Sequence, residues 1–140
     1  MKKSVIILTV VALMLCFVSC KKSNTSNEIW KDAIYTEDTE IGNGEKTITF
    51  TVTALDKSVT FTVSTDKKTV GEALSEYDLL EGEQGPYGLY VKKVNGMRAD
   101  YEKDNAYWSF MIDGKASMEG VDLTELEDEG SYGFTYMTQE

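Results

Sequence analysis

Two runs of strict polar–apolar alternation place the tightest constraint on how this chain can fold. In the run Lys46–Ala54, KTITFTVTA, the apolar residues Ile48, Phe50 and Val52 alternate with threonines. The run 59–64, VTFTVS, repeats the pattern after a short link of turn-forming residues. Because successive side chains of a strand point to opposite faces, this period of two predicts two half-buried strands joined as an antiparallel hairpin.

A single helix is predicted after the hairpin. Thr69 and Glu72 have the spacing of a capping box, in which the hydroxyl and the carboxylate each bond a free backbone amide. The residues that recur at the spacing of one helical face are Val70, Ala73, Leu74 and Tyr77. We therefore expect a helix over residues 69–79, ended by Gly82 and the Gly85-Pro86 pair.

Further strands are predicted in the second half of the chain. They fall within residues 88–101, 106–113 and 131–138. Asn95 and Gly96 form a pair that suits a type I′ turn, because both positions tolerate positive φ. The acidic segment 121–130 connects the last two strands, and its candidates for inward-facing residues are Val121, Leu123 and Leu126.

The strand within 106–113 decides which aromatic side chains face the core. Its alternate residues are Trp108, Phe110 and Ile112 on one face and Tyr107, Ser109 and Met111 on the other. A single helix covers only one face of a sheet, so the second face stays uncovered. We expect Trp108 in the core and Tyr107 and Met111 on the uncovered face.

The order of these elements predicts an α+β fold. A hairpin, one crossing helix and a returning set of strands is the β-grasp pattern, with a mixed sheet of four to five strands and one helix packed on one face. The pattern begins at residue 46, so residues 46–140 are expected to form the folded domain.

The N-terminal residues resemble a bacterial lipoprotein signal. Lys2 and Lys3 precede an apolar run too short to span a bilayer comfortably, and Ser19 stands before Cys20 as in a lipobox. The resemblance implies cleavage after residue 19 and a lipid on Cys20. The alternative is an ordinary secretory signal or an N-terminal anchor helix.

Cleavage there would leave a short tether before the domain. We expect residues 1–19 to be the signal and residues 20–45 to be a tether followed by an irregular arm. The expected location is the cell membrane, lipid-anchored on its extracytoplasmic face, with the body of the domain held off the bilayer.

The cysteine count argues against disulfide or thiol chemistry, and the net charge argues against nucleic-acid binding. The sequence has two cysteines, Cys16 and Cys20, so cleavage would leave one acylated cysteine and no disulfide. Loss of Lys2 and Lys3 would leave 12 basic against 24 acidic residues, a net charge of −12. A chain this acidic repels phosphate backbones and anionic lipid headgroups, so we expect no nucleic-acid partner and membrane contact only through the lipid anchor.

Five segments in order resemble the transcobalamin C-terminal-like domain, also known as DUF4430. They are TVGEAL (69–74), GLYVKKVNG (88–96), YWSFMIDGK (107–115), EGV (119–121) and EGSYGFTY (129–136). The resemblance covers residues 46–138 and implies a β-grasp of the soluble-ligand-binding type. In eukaryotic cobalamin carriers the related domain closes over the vitamin against a large helical domain. This sequence contains no such helical domain, so we expect no closed cage within one molecule.

Aromatic residues are the strongest candidates for a binding surface. Strand alternation predicts that Tyr90, Tyr107 and Met111 share the uncovered sheet face, with Tyr87 at its margin in the Gly-Pro loop. Tyrosine combines apolar area with a polar tip, which suits a contact surface. The alternative is that cross-strand tyrosines only stabilise the sheet.

Catalysis has little support in the residues. The sequence contains no histidine, so the commonest general base and metal-binding imidazole are missing. We therefore expect no enzyme, no catalytic residues and no cofactor. Carboxylates of the segment 122–129 are oxygen ligands of the kind Ca²⁺ prefers, but their spacing does not match a calcium loop, and a solvated acidic loop is the simpler interpretation.

These observations together predict a surface-anchored lipoprotein with a non-catalytic ligand-binding domain. The resemblance suggests a small-molecule ligand of the corrinoid class. The alternatives are a cell-surface protein-interaction or adhesion module that binds a surface protein partner, and an accessory calcium-binding domain.

Overall fold

The computed structural model describes residues 23–139 and shows an α+β protein. Its helices are α1 (Ser23–Trp30), α2 (Val70–Ser75) and α3 (Tyr101–Asp104). Its strands are β1 (Thr39–Gly42), β2 (Lys46–Ala54), β3 (Lys57–Thr65), β4 (Leu80–Gly85), β5 (Gly88–Val94), β6 (Met97–Arg98), β7 (Ala106–Ile112), β8 (Lys115–Ala116) and β9 (Ser131–Thr138). None of the helices in this described part is long and apolar enough to cross a membrane.

The strands form two sheets. The larger sheet has six strands in the order β1-β3-β2-β9-β7-β8, and the smaller has three in the order β4-β5-β6. The larger sheet is mixed, because β1 runs parallel to β3 and β2 runs parallel to β9, while its other pairs are antiparallel. The prediction of a mixed sheet is correct, but its size of four to five strands is wrong, since the large sheet alone has six.

The alternating segments fold as predicted. Strands β2 and β3 form an antiparallel hairpin closed by the two residues Leu55 and Asp56. Strand β9 spans Ser131–Thr138 and pairs with both β2 and β7. These segments are predictable because one face of each is apolar, which ties the pairing register to burial.

Strands β1 and β4, and the two-residue strand β8, fall where no strand was expected. Strand β1 lies in the segment predicted to be an irregular arm and adds in parallel to β3. Strand β4 begins where the helix was expected to end, and it pairs with β5 across a register shift between Glu81 and Gly82. A side chain at Gly82 would lie 2.1 Å from the Tyr90 carbonyl oxygen, so this glycine permits close strand approach rather than ending an element.

The capping box forms, but helix α2 is shorter than predicted. Thr69 accepts a hydrogen bond from the Glu72 amide, and the Glu72 carboxylate accepts one from the Thr69 amide. The helix ends at Ser75 instead of residue 79, and Asp78 takes a left-handed φ of 55°. The chain then turns at once into β4.

One core joins both sheets and α2. Buried apolar side chains of the large sheet form a single cluster with Val70, Ala73 and Leu74 of α2 and with Val91 and Val94 of β5. Trp108 and Phe110 are buried as predicted, and Tyr107, Ser109 and Met111 point to the opposite face. In the acidic connection Val121 and Leu126 are buried, whereas Leu123 is exposed, which corrects its inward assignment.

The N-terminal segment is attached to the domain by specific contacts. Trp30 is buried at the end of α1 and donates its indole N–H to the Ala54 carbonyl at 3.1 Å. The fully buried Asn95 bonds both backbone groups of Tyr35, accepting from the N–H at 2.9 Å and donating to the C=O at 2.8 Å. Residues 29–45 therefore pack as part of the folded unit.

Truncating Trp108 should destabilise the protein strongly. Its ring is 6% exposed and its indole N–H donates to the Met97 carbonyl at 3.1 Å. Trp108→Ala should cost about 3–5 kcal/mol in the free energy of unfolding, measured by urea titration. Tyr107→Ala, one position along on the other face, should cost much less, and the reverse ranking would mean that the faces of β7 are inverted.

Loss of the Asn95 side chain should loosen the N-terminal arm. Asn95→Gly keeps the left-handed φ of 51° accessible but removes both bonds to Tyr35, so we expect a loss of roughly 1–3 kcal/mol and faster proteolysis within residues 31–38. The matched control is Asn105→Gly, at the same φ of 51°, where the side chain is solvent-exposed and donates one hydrogen bond to the Gln139 carbonyl at 2.8 Å. Equal effects of the two changes would contradict the role of Asn95.

Candidate functional site

A cleft of about 240 Å³ lies between β5 of the small sheet and β7 of the large sheet. Its lining residues are Leu89, Tyr90, Val91, Tyr107, Trp108, Ser109, Phe110, Ser117, Gly120, Val121 and Phe134. Tyr90 is 44% exposed and Tyr107 is half-buried, so two tyrosines from different sheets border the same space. The buried Phe110, Val121 and Phe134 close its inner end.

Two hydrogen bonds set the relative position of the walls. On one side, the Trp108 indole bonded to the Met97 carbonyl joins β7 to β6. On the other, the Asp122 carboxylate accepts the backbone N–H of Leu89 at 3.0 Å and holds the start of β5 to the loop after β8. Gly88 is required here, because it has a φ of +102° and a side chain on it would lie 2.5 Å from the Asp122 carboxylate oxygen.

Three exposed large side chains belong to the loops that flank the cleft, Tyr87 just before β5 and Met118 and Leu123 after β8. Tyr87 is 88% exposed, Met118 is fully exposed and Leu123 is 56% exposed. Their loops are in contact, since a side chain at Gly120 would lie 3.1 Å from the Tyr87 carbonyl oxygen. We call Tyr87, Met118 and Leu123 the apolar rim. Clustered exposed apolar groups of this kind mark interaction surfaces, whereas single exposed residues do not.

The predicted site residues divide between two places. Tyr90 and Tyr107 line the cleft and Tyr87 lies on its rim, but Tyr90 belongs to the small sheet, so the prediction that it shares a sheet face with Tyr107 and Met111 is wrong. Met111 lies on the uncovered face of the large sheet beside Thr51, Thr53 and Thr135, in a separate depression. Cys20 lies outside the described residues.

The uncovered face of the large sheet is rich in hydroxyl groups. Threonines pair across β2 and β3, with Thr49 opposite Thr62 and Thr51 opposite Thr60. Of the exposed aromatic residues, Tyr90 instead lines the cleft and Tyr87 lies in the turn just before β5. The cleft, rather than the flat sheet face, is therefore the better candidate for a binding site.

Lys92, the charged residue next to the cleft-lining Tyr90, is already paired. Lys92 lies 5.9 Å from the centre of the Tyr90 ring and 3.3 Å from the Glu83 carboxylate. The hydrogen bond to Glu83, together with the negative charges of Glu83 and Asp100, raises the pKa of Lys92 above its ordinary value. Lys92 is thus a paired cation at neutral pH and is not available as a general base.

Carboxylates of the acidic connection are used singly in backbone contacts. Asp122 accepts from Leu89, and Asp128 accepts from the Thr47 amide at 2.8 Å. Within residues 23–139, no group of three or more histidine, cysteine, aspartate or glutamate side chains is arranged to hold a metal ion. The calcium-loop alternative therefore has no preformed ligand set in this part of the chain.

The loop after β8 was not predicted as part of the site. It supplies Ser117, Gly120 and Val121 to the cleft and Met118 to the rim. The available signal was the EGV segment, 119–121, which belongs to the family resemblance but contains no chemically distinctive side chain.

Comparison with known proteins identifies the fold and the family. Residues 67–137 match the family described as Domain of unknown function (DUF4430). A crystal structure of a candidate metal-binding protein from Ruminococcus gnavus ATCC 29149 is similar with a TM-score of 0.64 and 32% sequence identity, over 69% of this chain and 100% of that chain. No curated protein sequence matches.

A second solved structure is similar in fold. Haptocorrin in complex with Cbi is similar with a TM-score of 0.57 over 71% of this chain and 27% of that chain. At 12% identity this likeness concerns the fold alone. The family match covers half of the chain and agrees with the resemblance seen in its sequence motifs. The chain is therefore a member of the DUF4430 family.

Proposed function

We propose that this protein is a surface-anchored, non-catalytic binding domain that takes a corrinoid-like small molecule at the cleft between β5 and β7. The observation that carries the proposal is that Tyr90 of β5 and Tyr107 of β7 line the same cleft, whose flanking loops carry the exposed side chains of the apolar rim. Tyrosine and methionine offer polarizable area at low entropic cost, which suits a flat organic ligand. The fold likeness to haptocorrin supports a β-grasp of the soluble-ligand-binding type.

The size of the cleft limits how a ligand can bind. Pockets that enclose a small molecule usually measure about 300–1,000 Å³, whereas this cleft measures about 240 Å³. It can therefore hold the edge of a corrinoid-sized ligand, while the rim contacts the remainder. A single wall of this kind favours an affinity in the micromolar range or weaker unless a second protein covers the ligand.

The chemistry of the lining supports binding rather than catalysis. The described residues around the cleft carry apolar, phenol and hydroxyl side chains, and the neighbouring Lys92 is held by Glu83. Neither a carboxylate nor an amine is positioned in the cleft as a proton acceptor. We therefore assign the protein a non-enzymatic role.

The position of α1 supports presentation of the cleft away from a membrane. Only Lys21 and Lys22 separate Cys20 from the start of α1, and α1 packs beside the β2–β3 turn and the Asn95 turn. Tyr87 lies just beyond the end of β5 opposite Asn95, and β5 alone is about 20 Å long at the rise of an extended strand. Lipidation of Cys20 would thus leave the rim facing outward.

Corrinoid binding can be tested by calorimetry on the full chain purified in detergent, with cobalamin and its precursors as ligands. We expect micromolar or weaker binding, and we expect Tyr90→Ala and Tyr107→Ala each to weaken it about three- to tenfold, since an aromatic contact contributes roughly 0.5–1.5 kcal/mol. Tyr101→Ala is the matched control, because Tyr101 is 45% exposed but does not line the cleft. Met111→Ala should also have no effect. Binding that survives both cleft variants would place the site elsewhere.

Anchoring can be tested by metabolic labelling with an alkyne fatty acid. We expect label on the wild-type protein and none on Cys20→Ala, because Cys20 follows the small residue and apolar run of a lipobox. Cys16→Ala, which changes a cysteine within the expected signal, is the control and should keep the label. Equal labelling of wild type and Cys20→Ala would contradict the anchor.

A further inference from the structure

The walls of the cleft are strand edges rather than sheet faces. Four consecutive residues of β7, Tyr107 to Phe110, line it, and so do three consecutive residues of β5, Leu89 to Val91. Alternate side chains of a strand point to opposite faces, so consecutive residues can border one space only through the backbone edge. The cleft is therefore a slot between the edges of two strands.

The edge of β7 in this slot has hydrogen-bonding groups and no strand beside it. Strand β8 pairs only with Met111 and Ile112, and the Ser117 amide then donates to the Phe110 carbonyl at 2.8 Å. Within residues 23–139, no strand pairs with Ala106 to Ser109 on this side. In an antiparallel ladder every second residue directs both its N–H and its C=O to the same edge of the strand. The Phe110 carbonyl points into the slot. The N–H and C=O of Trp108, two residues earlier, therefore point into the slot as well.

We propose that the slot binds one extended polypeptide segment of a partner protein, which adds as a strand along β7 and pairs with the backbone of Trp108. This inference goes beyond the corrinoid-binding function, and because both ligands would occupy the same cleft, they should compete. An added strand gains affinity from main-chain hydrogen bonds and specificity from its alternate side chains. The free edge from Ala106 to Ser109 is about 13 Å long, enough for roughly four residues.

The shape of the slot favours a single chain over a second copy of the protein. Strand β5 and the loop 117–121 stand beside the β7 edge, so the edge is recessed between them. A folded second copy would have to bring its own β7 edge into that recess together with its own β5. The β5 strands of the two copies would then collide. A lone extended segment has no such flanking structure.

Charge and the rim indicate the chemistry of the partner segment. The whole chain has a net charge of −10, and Glu119, in the loop 117–121 beside the slot, is an exposed carboxylate. Such a surface attracts a segment that carries lysine or arginine. The apolar rim of Tyr87, Met118 and Leu123 favours a large apolar side chain at its outer end. The expected segment is thus extended, basic and alternating, with an apolar or aromatic anchor.

Hydrogen exchange of single backbone amides tests the edge directly. In the free full chain in detergent, the Trp108 amide should exchange at least tenfold faster than the amides of Tyr107 and Ser109, which lie in the ladder with β9. Protection of the Trp108 amide equal to that of its neighbours would overturn the proposal. Protection that rises with protein concentration alone would show self-pairing and would also overturn it.

A displayed library of random heptapeptides supplies the ligand. Selection on the full chain should enrich alternating sequences with lysine or arginine, and a synthetic copy of a selected peptide should slow exchange of the Trp108 amide at least tenfold. N-methylation of every second peptide amide should abolish binding when the methylated amides are those that face β7. Methylation of the other set of amides should have less effect. Failure to enrich such sequences, or a bound peptide that leaves the Trp108 amide unchanged, would refute strand addition.

The cleft variants separate this inference from corrinoid binding. Tyr90→Ala and Tyr107→Ala remove ring contacts that a corrinoid needs but leave the β7 backbone edge in place. We expect both variants to retain peptide-dependent protection of the Trp108 amide while losing corrinoid affinity. Loss of that protection in both variants would show that the rings, and not the strand edge, bind the peptide.

Discussion

A continuous row of aromatic rings across the large sheet is the interaction on which the rest of the structure depends. Phe61 of β3, Phe50 of β2, Phe134 of β9 and Phe110 of β7 follow one another with ring centroids 5.8, 6.2 and 5.2 Å apart. These rings are buried and connect four neighbouring strands. With no disulfide available within residues 23–139, this row supplies the apolar burial that holds the strands in register.

The cleft exists because the two sheets are joined at β6 and again at the start of β5, but not along the edges between. The bond from Trp108 to Met97 fixes one end, and the bond from Leu89 to Asp122 fixes the other. Between them β5 and β7 face each other without a shared hydrogen-bond ladder. The same geometry underlies the proposed binding of both a corrinoid-like molecule and an extended peptide segment, since it exposes tyrosine rings and backbone edges in one space.

Much of the large sheet could be predicted because its residues have a single favourable arrangement. Strands β2, β3, β7 and β9 alternate apolar and polar residues, so only one register buries the apolar face. The capping box at Thr69 and Glu72 and the turn at Asn95 were predictable because each depends on neighbours in sequence. Strands β1 and β4 were missed because they are short, exposed and rich in charge or glycine, and they form only by pairing with distant strands.

By itself, the sequence determined the α+β class, the buried face of β7 and the family, since these follow from local periodicity and ordered motifs. Only the tertiary structure decided which aromatic residues meet. Tyr90 and Tyr107 have similar patterns around them, yet one lies in each sheet, and Met111 does not line the cleft although it lies on the same strand as Tyr107. Alternation along a strand specifies a side chain's face, but the sheet to which that strand belongs depends on pairings between residues far apart in the chain.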